Sequence, residues 1–353
     1  MSTIFPGKRM TPLIVGAAAI AVLAVLGALL WKTYQQADGS LARPFGPRAP
    51  WNVPVAQLPR HPESEIFVDR LWRDAPSNQP GNFNLGFDEY TYPVYYAHDA
   101  TWLFPVKIES GTDLDGKTIP WNPAWRPAPG DDAQVIILDT EKGVEWDLWQ
   151  VQFDGRTVSA SNGSRVSGDY RTKEDGHPSS RGVGIAYLAM LVRPHEIRQG
   201  AIRHALSLPI RNTDGTYFVA PATKLEHPGR MRGGIPEGMR FALEVSDAEI
   251  QEWLDGMPAG MRQSTKQSAR IIAEALRDYG WFITDTAGGA HFQFESRVTA
   301  GQEWAELGLD HREVDEFHVY PRDLLDRLLK PERIYTIVPS DEYPADLRAR
   351  PSR

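Results

Sequence analysis

The stretch Gly130–Val151, GDDAQVIILDTEKGVEWDLWQV, decides the fold. The apolar run Val135-Ile136-Ile137-Leu138 ends in the polar Asp139–Gly143, and a second apolar-rich run, Val144–Val151, follows at once. Two β-rich runs around a short polar loop that ends in Gly specify a β-hairpin. Side chains alternate between faces along a strand. Glu145, Asp147 and Trp149 therefore share one face of the second strand, and Trp146, Leu148 and Gln150 share the other.

The chain has 353 residues, 41% hydrophobic and 24% charged, with a net charge of -8. That length supports one large or two modest domains with a sizeable core. The acidic balance argues against nucleic acid as a partner. With no Cys there is no disulfide, thiolate nucleophile or zinc–thiolate site. The 28 Pro, 30 Gly and 11 Trp suit an all-β chain rich in turns.

Leu13–Trp31, LIVGAAAIAVLAVLGALLW, carries no charge over 19 residues, the length of a membrane-spanning helix. Lys8 and Arg9 precede it, Lys32 follows, and Trp31 suits the interface. A cleaved signal peptide has a shorter apolar core, and no small-x-small site follows here. The expectation is an uncleaved single-pass anchor with a cytoplasmic N terminus and a periplasmic or extracellular C-terminal domain. The organisation expected is a short tail (1–12), the membrane helix (13–31), a Pro-rich linker (32–63), a single β-rich domain (64–343) and a frayed tail (344–353).

Within that domain short strands predominate. Tyr90, Tyr92, Val94 and Tyr96 alternate as in a strand, and Phe104–Ile108, Arg156–Ala160, Arg203–Pro209, Gly215–Ala220, Arg240–Val245, Trp281–Asp285, His291–Glu295 and Ile334–Val338 read the same way. Helices are expected over Glu63–Trp72, over the buried run Ile185–Leu191, from Pro194 to near Gly200, and over Asp247–Leu254 behind Ser246 with Glu249 in a capping box. Two more are expected over Ser264–Tyr279, with the stripe Ile271, Ile272, Ala275 and Leu276, and over Pro321–Leu329. Strand and helix do not alternate, so a doubly wound sheet is rejected. A mainly-β fold, a β-sandwich or jelly roll with a few peripheral helices, is expected.

The chemistry is concentrated on the hairpin and the loop after it. Glu145 and Asp147 are candidate catalytic carboxylates, because retaining glycosidases need two carboxyls ~5–5.5 Å apart and alternate strand positions approach that. Trp121, Trp125, Trp146, Trp149 and Tyr92 are candidate sugar-stacking residues, since aromatic faces suit sugar rings; large aromatics also build cores. His177 and Arg181 are candidates for β-elimination on an acidic polysaccharide, which needs a base and a neutralising cation. Asp131 and Asp132 with backbone carbonyls would suit calcium, but acidic pairs are common in loops and no metal is assigned. His195-Glu196-Ile197-Arg198-Gln199 lacks the second His of a zinc-protease helix, and neither GxSxG nor a phosphate-binding loop occurs, so no cofactor is expected.

Glu145-Trp146-Asp147 resembles the strand signature of laminarinase-type β-glucanases at two of its three acidic positions, with Trp149 at the third. More broadly, residues 120–240 resemble a group of secreted or membrane-anchored bacterial β-rich proteins. The positions that carry this resemblance are Asp132, Asp139, Asp147, Trp149, Gly182, Gly184, Arg193, Pro194, Glu196 and Ile197, with Gln134 where that group tends to have His. It implies a compact β-rich domain and no particular activity. The expected function is an anchored extracytoplasmic protein binding glycan, or a protein partner, through an aromatic and acidic sheet face. The alternative is a glycoside hydrolase or polysaccharide lyase.

Overall fold

The computed structural model describes residues 43–76, 80–310 and 323–349. The apolar stretch Leu13–Trp31 lies outside these residues. Among the described residues no helix is long and apolar enough to cross a membrane. The strands are β1 (Phe83–Gly86), β2 (Val94–Tyr96), β3 (Trp102–Ile108), β4 (Thr118–Trp121), β5 (Val135–Asp139), β6 (Val144–Trp149), β7 (Gln152–Phe153), β8 (Val158–Ala160) and β9 (Asn162–Arg165). There follow β10 (Leu206–Ile210), β11 (Thr213–Phe218), β12 (Ile235–Glu237), β13 (Arg240–Leu243), β14 (Trp281–Thr286), β15 (Ala290–Gln293) and β16 (Ile334–Ile337). The helices are α1 (Ser64–Asp74), α2 (Pro194–Arg198), α3 (Asp247–Asp255), α4 (Gln263–Asp278) and α5 (Arg297–Glu306). The fold is mainly β, built of small sheets.

The hairpin forms as its sequence specifies. β5 and β6 pair antiparallel with Ile136 opposite Asp147 and Leu138 opposite Glu145. They are the centre of the sheet β2-β5-β6-β9. Val135, Ile137, Val144, Trp146 and Leu148 form one core with Val106, Ile108, Ile119, Trp121 and Val158 from the second sheet, β4-β3-β8-β7. The opposite face presents Ile136 and Leu138 to Val183–Leu191. Glu145 and Asp147 lie on that same inner face, completely buried.

That burial explains one departure from expectation. Val183–Val192 is buried throughout but contains only a short 3₁₀ turn, Tyr187–Met190. The backbone N–H groups of Tyr187 and Leu188 donate to Asp147 Oδ2 (3.1 Å) and Glu145 Oε1 (2.9 Å). Carboxylates of β6 thus satisfy two buried N–H groups at the start of that turn.

The second half is organised by the mixed sheet β10-β14-β13-β16, in which β10 and β14 run parallel and β13 is antiparallel to both its neighbours. α4 joins β13 to β14 and buries Ile271, Ile272, Ala275 and Leu276, the stripe read from its sequence. Ser246 and Glu249 form the expected capping box on α3. The Pro-rich segment is more than a linker. From Arg43 it belongs to the folded unit, with Phe45, Trp51 and Val53 buried and Asn52 Nδ2 donating to the carbonyls of Pro44, Phe45 and Gly46. The described part of the expected helix Pro321–Leu329 is a run of turns.

Gly280 fixes the turn from α4 into β14. Its φ is +66°, and an added Cβ would lie 2.0 Å from the Phe241 carbonyl oxygen. Gly280→Ala should therefore cost about 2–4 kcal/mol, from the left-handed backbone plus the clash. Urea unfolding of both proteins measures this, and an unchanged midpoint would contradict it.

Candidate functional site

A cleft of about 560 Å³ opens where the two halves of the fold meet along the loop Ser179–Gly184. One wall carries Asp132 and Gln134 ahead of β5, Trp149 at the end of β6 and Asn162 at the start of β9. The other carries Glu226 from the β11–β12 loop and Asp285–Gly288 from the end of β14. Tyr90, Tyr92, Arg181, Tyr187, His291 and Gln293 also line it.

Asp285 and Glu226 form a carboxyl pair. Burial, then the Glu226 charge and a hydrogen bond to Glu226, hold the Asp285 carboxyl well above the usual range. These causes favour the protonated form of Asp285. The Thr286 N–H donates to Glu226 Oε2 at 2.6 Å, and His227 Nε2 lies 3.3 Å from Glu226 Oε1. A Cβ on Gly182 would lie 2.5 Å from Asp285 Oδ1 and 2.5 Å from Glu226 Cγ. Only glycine lets the loop pass so close to the pair.

Asp132 faces this pair with different partners. Its Oδ1 accepts from the Trp149 indole N–H (3.1 Å) and its Oδ2 from the Gln134 amide (2.9 Å). Burial raises its pKa, those two donors pull it back, and the Glu226 charge adds to the rise. Burial holds His291 towards its neutral form.

Backbone strain gathers here as well. Of the five described non-glycine residues at positive φ, Tyr90 (57°), Ala133 (39°) and Gln150 (57°) adjoin the cleft. Ala133 lies between Asp132 and Gln134, and Gln150 follows Trp149. The Tyr90 carbonyl is held by Gln293 Nε2 at 2.8 Å, leaving the ring exposed at the cleft mouth. Strain of about 1–3 kcal/mol per residue persists where surrounding structure over-determines it, which is common at binding and catalytic sites.

The residues expected from sequence are divided by the structure. Glu145 and Asp147 lie beneath the cleft, out of reach of solvent. Asp147 Oδ2 accepts from Ser179 Oγ at 2.7 Å, and Ser180 Oγ donates to the Asp147 carbonyl at 2.8 Å. Burial, then the Asp147 charge, pushes Glu145 well up, and Glu145 hydrogen bonds to Asp147. These causes favour a proton on the Glu145 side of this second pair.

Arg181 is buried beside the stacked Tyr92 and Tyr187 rings, whose centroids are 4.1 Å apart, with its Cζ 5.2 and 5.6 Å from them. Its guanidinium donates to Ser207 Oγ, Gln293 Oε1 and the carbonyls of Ile185 and Tyr187. His177 bonds the Gly184 carbonyl and does not line the cleft. Trp121, Trp125 and Trp146 belong to the core between the two four-stranded sheets, because large rings there remove the most apolar area from water. Trp149 and Tyr92 are the two expected aromatics in the cleft, and Tyr92 is buried in its floor.

Sequence reasoning missed Glu226 and Asp285, and weighed Asp132 only for calcium. The signal available was the pair Gly182 and Gly184 beside Arg181. Among the described residues no cluster of three or more His, Asp or Glu side chains is arranged to hold a metal. Comparisons of the chain with protein-family models, curated proteins and solved structures return no match.

The buried pair under the cleft makes a clean test. Glu145→Gln keeps an acceptor for Leu188 and a donor for Asp147, so it should change stability by no more than about 1.5 kcal/mol, whereas Glu145→Ala should cost about 3–5 kcal/mol. The folded pKa of Glu145 is raised, so its proton's contribution is complete below the ordinary carboxyl value and is lost as pH rises through the folded value. The difference in unfolding free energy between wild type and Glu145→Gln, followed against pH, should shrink or reverse in that direction. A pH-independent difference would show that the pair holds no proton.

Proposed function

We propose that the cleft is a glycan-hydrolysing site in which Asp285 is the general acid and Asp132 the opposing base. The observation that carries this is three carboxyls lining one cleft, with Asp285 packed against Glu226 and the Gly182 backbone and Asp132 held by two N–H donors. Burial raises both carboxyls, but Asp285 faces the Glu226 charge while Asp132 has two N–H donors, and that difference assigns the acid role to Asp285 and the base role to Asp132. In this reading Asp285 gives its proton to the glycosidic oxygen as the C–O bond breaks. Water adds to the anomeric carbon, and its proton passes to Asp132. Tyr90 and Trp149 present ring surface to the sugar, and Asn162 and Gln134 offer amides to its hydroxyls.

A binding-only reading has one observation of its own: both Asp132 oxygens already accept hydrogen bonds. A shape for glycan without turnover is the alternative. In either case we take Leu13–Trp31 as a single-pass anchor that places this domain outside the cytoplasm, within reach of envelope or extracellular polysaccharide. The two four-stranded sheets with their shared core support reading the first half as a β-sandwich.

The test is reducing-end release from a broad polysaccharide panel, with binding measured in parallel. Asp285→Asn and Asp132→Asn should each lower turnover by about 10²–10⁴-fold while binding persists. The wild-type rate should fall as pH rises through the raised pKa of Asp285 and the acid is lost. Affinity without products would establish the binding-only reading, and neither affinity nor products would overturn both.

A further inference from the structure

Two cations at the cleft have no role in that chemistry. Lys224 and Arg230 line it and are exposed. Neither makes an ion pair or a side-chain hydrogen bond among the described residues. What sets these two apart is their place: both line the same cleft, in a chain whose net charge is -8.

The loop that carries them is pinned. Thr223 N–H donates to the Val183 carbonyl (3.0 Å), Glu226 N–H to Glu237 Oε2 (3.1 Å), Gly229 N–H to the Gly215 carbonyl (2.7 Å) and Arg230 N–H to the His227 carbonyl (3.2 Å). The same loop delivers Glu226 to Asp285, so the two cations are anchored a few residues from the acid. Glu237 is within electrostatic reach of Lys224, but burial pushes it up to about 7, so it offsets only part of that charge.

We propose that Lys224 and Arg230 form an anion subsite, and that the ligand of the cleft is an acidic oligosaccharide bearing carboxylate or sulfate groups. The guanidinium fork of Arg matches a planar carboxylate or a sulfate edge, and Lys adds a compact charge with freely rotating donors. The inference rests on the glycan reading of the cleft and specifies which glycans enter it.

Titration calorimetry on the full chain tests this with three probes of equal length: an oligogalacturonate, a sulfated oligosaccharide and a neutral cello-oligosaccharide. An acidic probe should bind more tightly than the neutral one, with affinity falling as salt is raised. Lys224→Gln and Arg230→Gln should each weaken it by about tenfold, the worth of one charge-assisted hydrogen bond. Arg232→Gln removes the same charge from the same loop away from the cleft lining, and should leave affinity unchanged. Preference between the uronate and the sulfate identifies which acid the subsite takes. If neutral and acidic probes bind alike and the substitutions have no effect, the anion subsite is overturned and the glycan reading stands. If no probe binds, both fall.

Discussion

One buried cation holds the two halves of this molecule together. Arg181 has its guanidinium beside a stacked pair of tyrosine rings, and its N–H groups reach Ser207 on β10, Gln293 on β15 and the carbonyls of its own loop. An isolated buried charge costs several kcal/mol. Arg181 is not isolated, because its charge acts on both carboxyl pairs, Glu145–Asp147 beneath the cleft and Asp285–Glu226 within it. Four ionised carboxylates around one guanidinium would repel one another. A proton shared in each pair brings the cluster close to balance.

The cleft follows from that arrangement. The carboxylates of β6 take the N–H groups at the start of the 3₁₀ turn and the hydroxyls of Ser179 and Ser180, fixing the loop from which Arg181 projects. Gly182 then passes against Asp285 and Glu226 without a side chain. Gln293 accepts from Arg181 through its oxygen and donates to the Tyr90 carbonyl through its nitrogen, carrying the constraint to the cleft mouth. Structural and candidate chemical carboxyls are thus two ends of one hydrogen-bonded system.

Features set by neighbours in sequence were legible in advance. The β5–β6 hairpin, the Ser246–Glu249 capping box and the apolar stripe of α4 depend on spacings of a few residues. What the sequence concealed depends on distant partners. Glu226 meets Asp285 only because β14 lies parallel to β10 and the β11–β12 loop folds over its end. Alternation on β6 made Glu145 and Asp147 look like a solvated face, when both faces of that strand are covered. Trp149 stood as a missing third carboxylate. In the structure its indole N–H donates to Asp132 and offsets part of the rise that burial causes there.

The central claim is that two separate carboxyl pairs each hold one proton. Carbon-13 NMR titration of the side-chain carboxyls tests it most directly, with Glu145→Gln and Asp285→Asn assigning the resonances. The account predicts that Glu145 and Asp285 stay protonated well above the ordinary range of about 4, alongside Glu237 at about 7, while Asp139 titrates below it. If Glu145 and Asp285 titrate in or below the ordinary range, neither pair holds a proton, and both the buried linkage and the acid role of Asp285 are wrong.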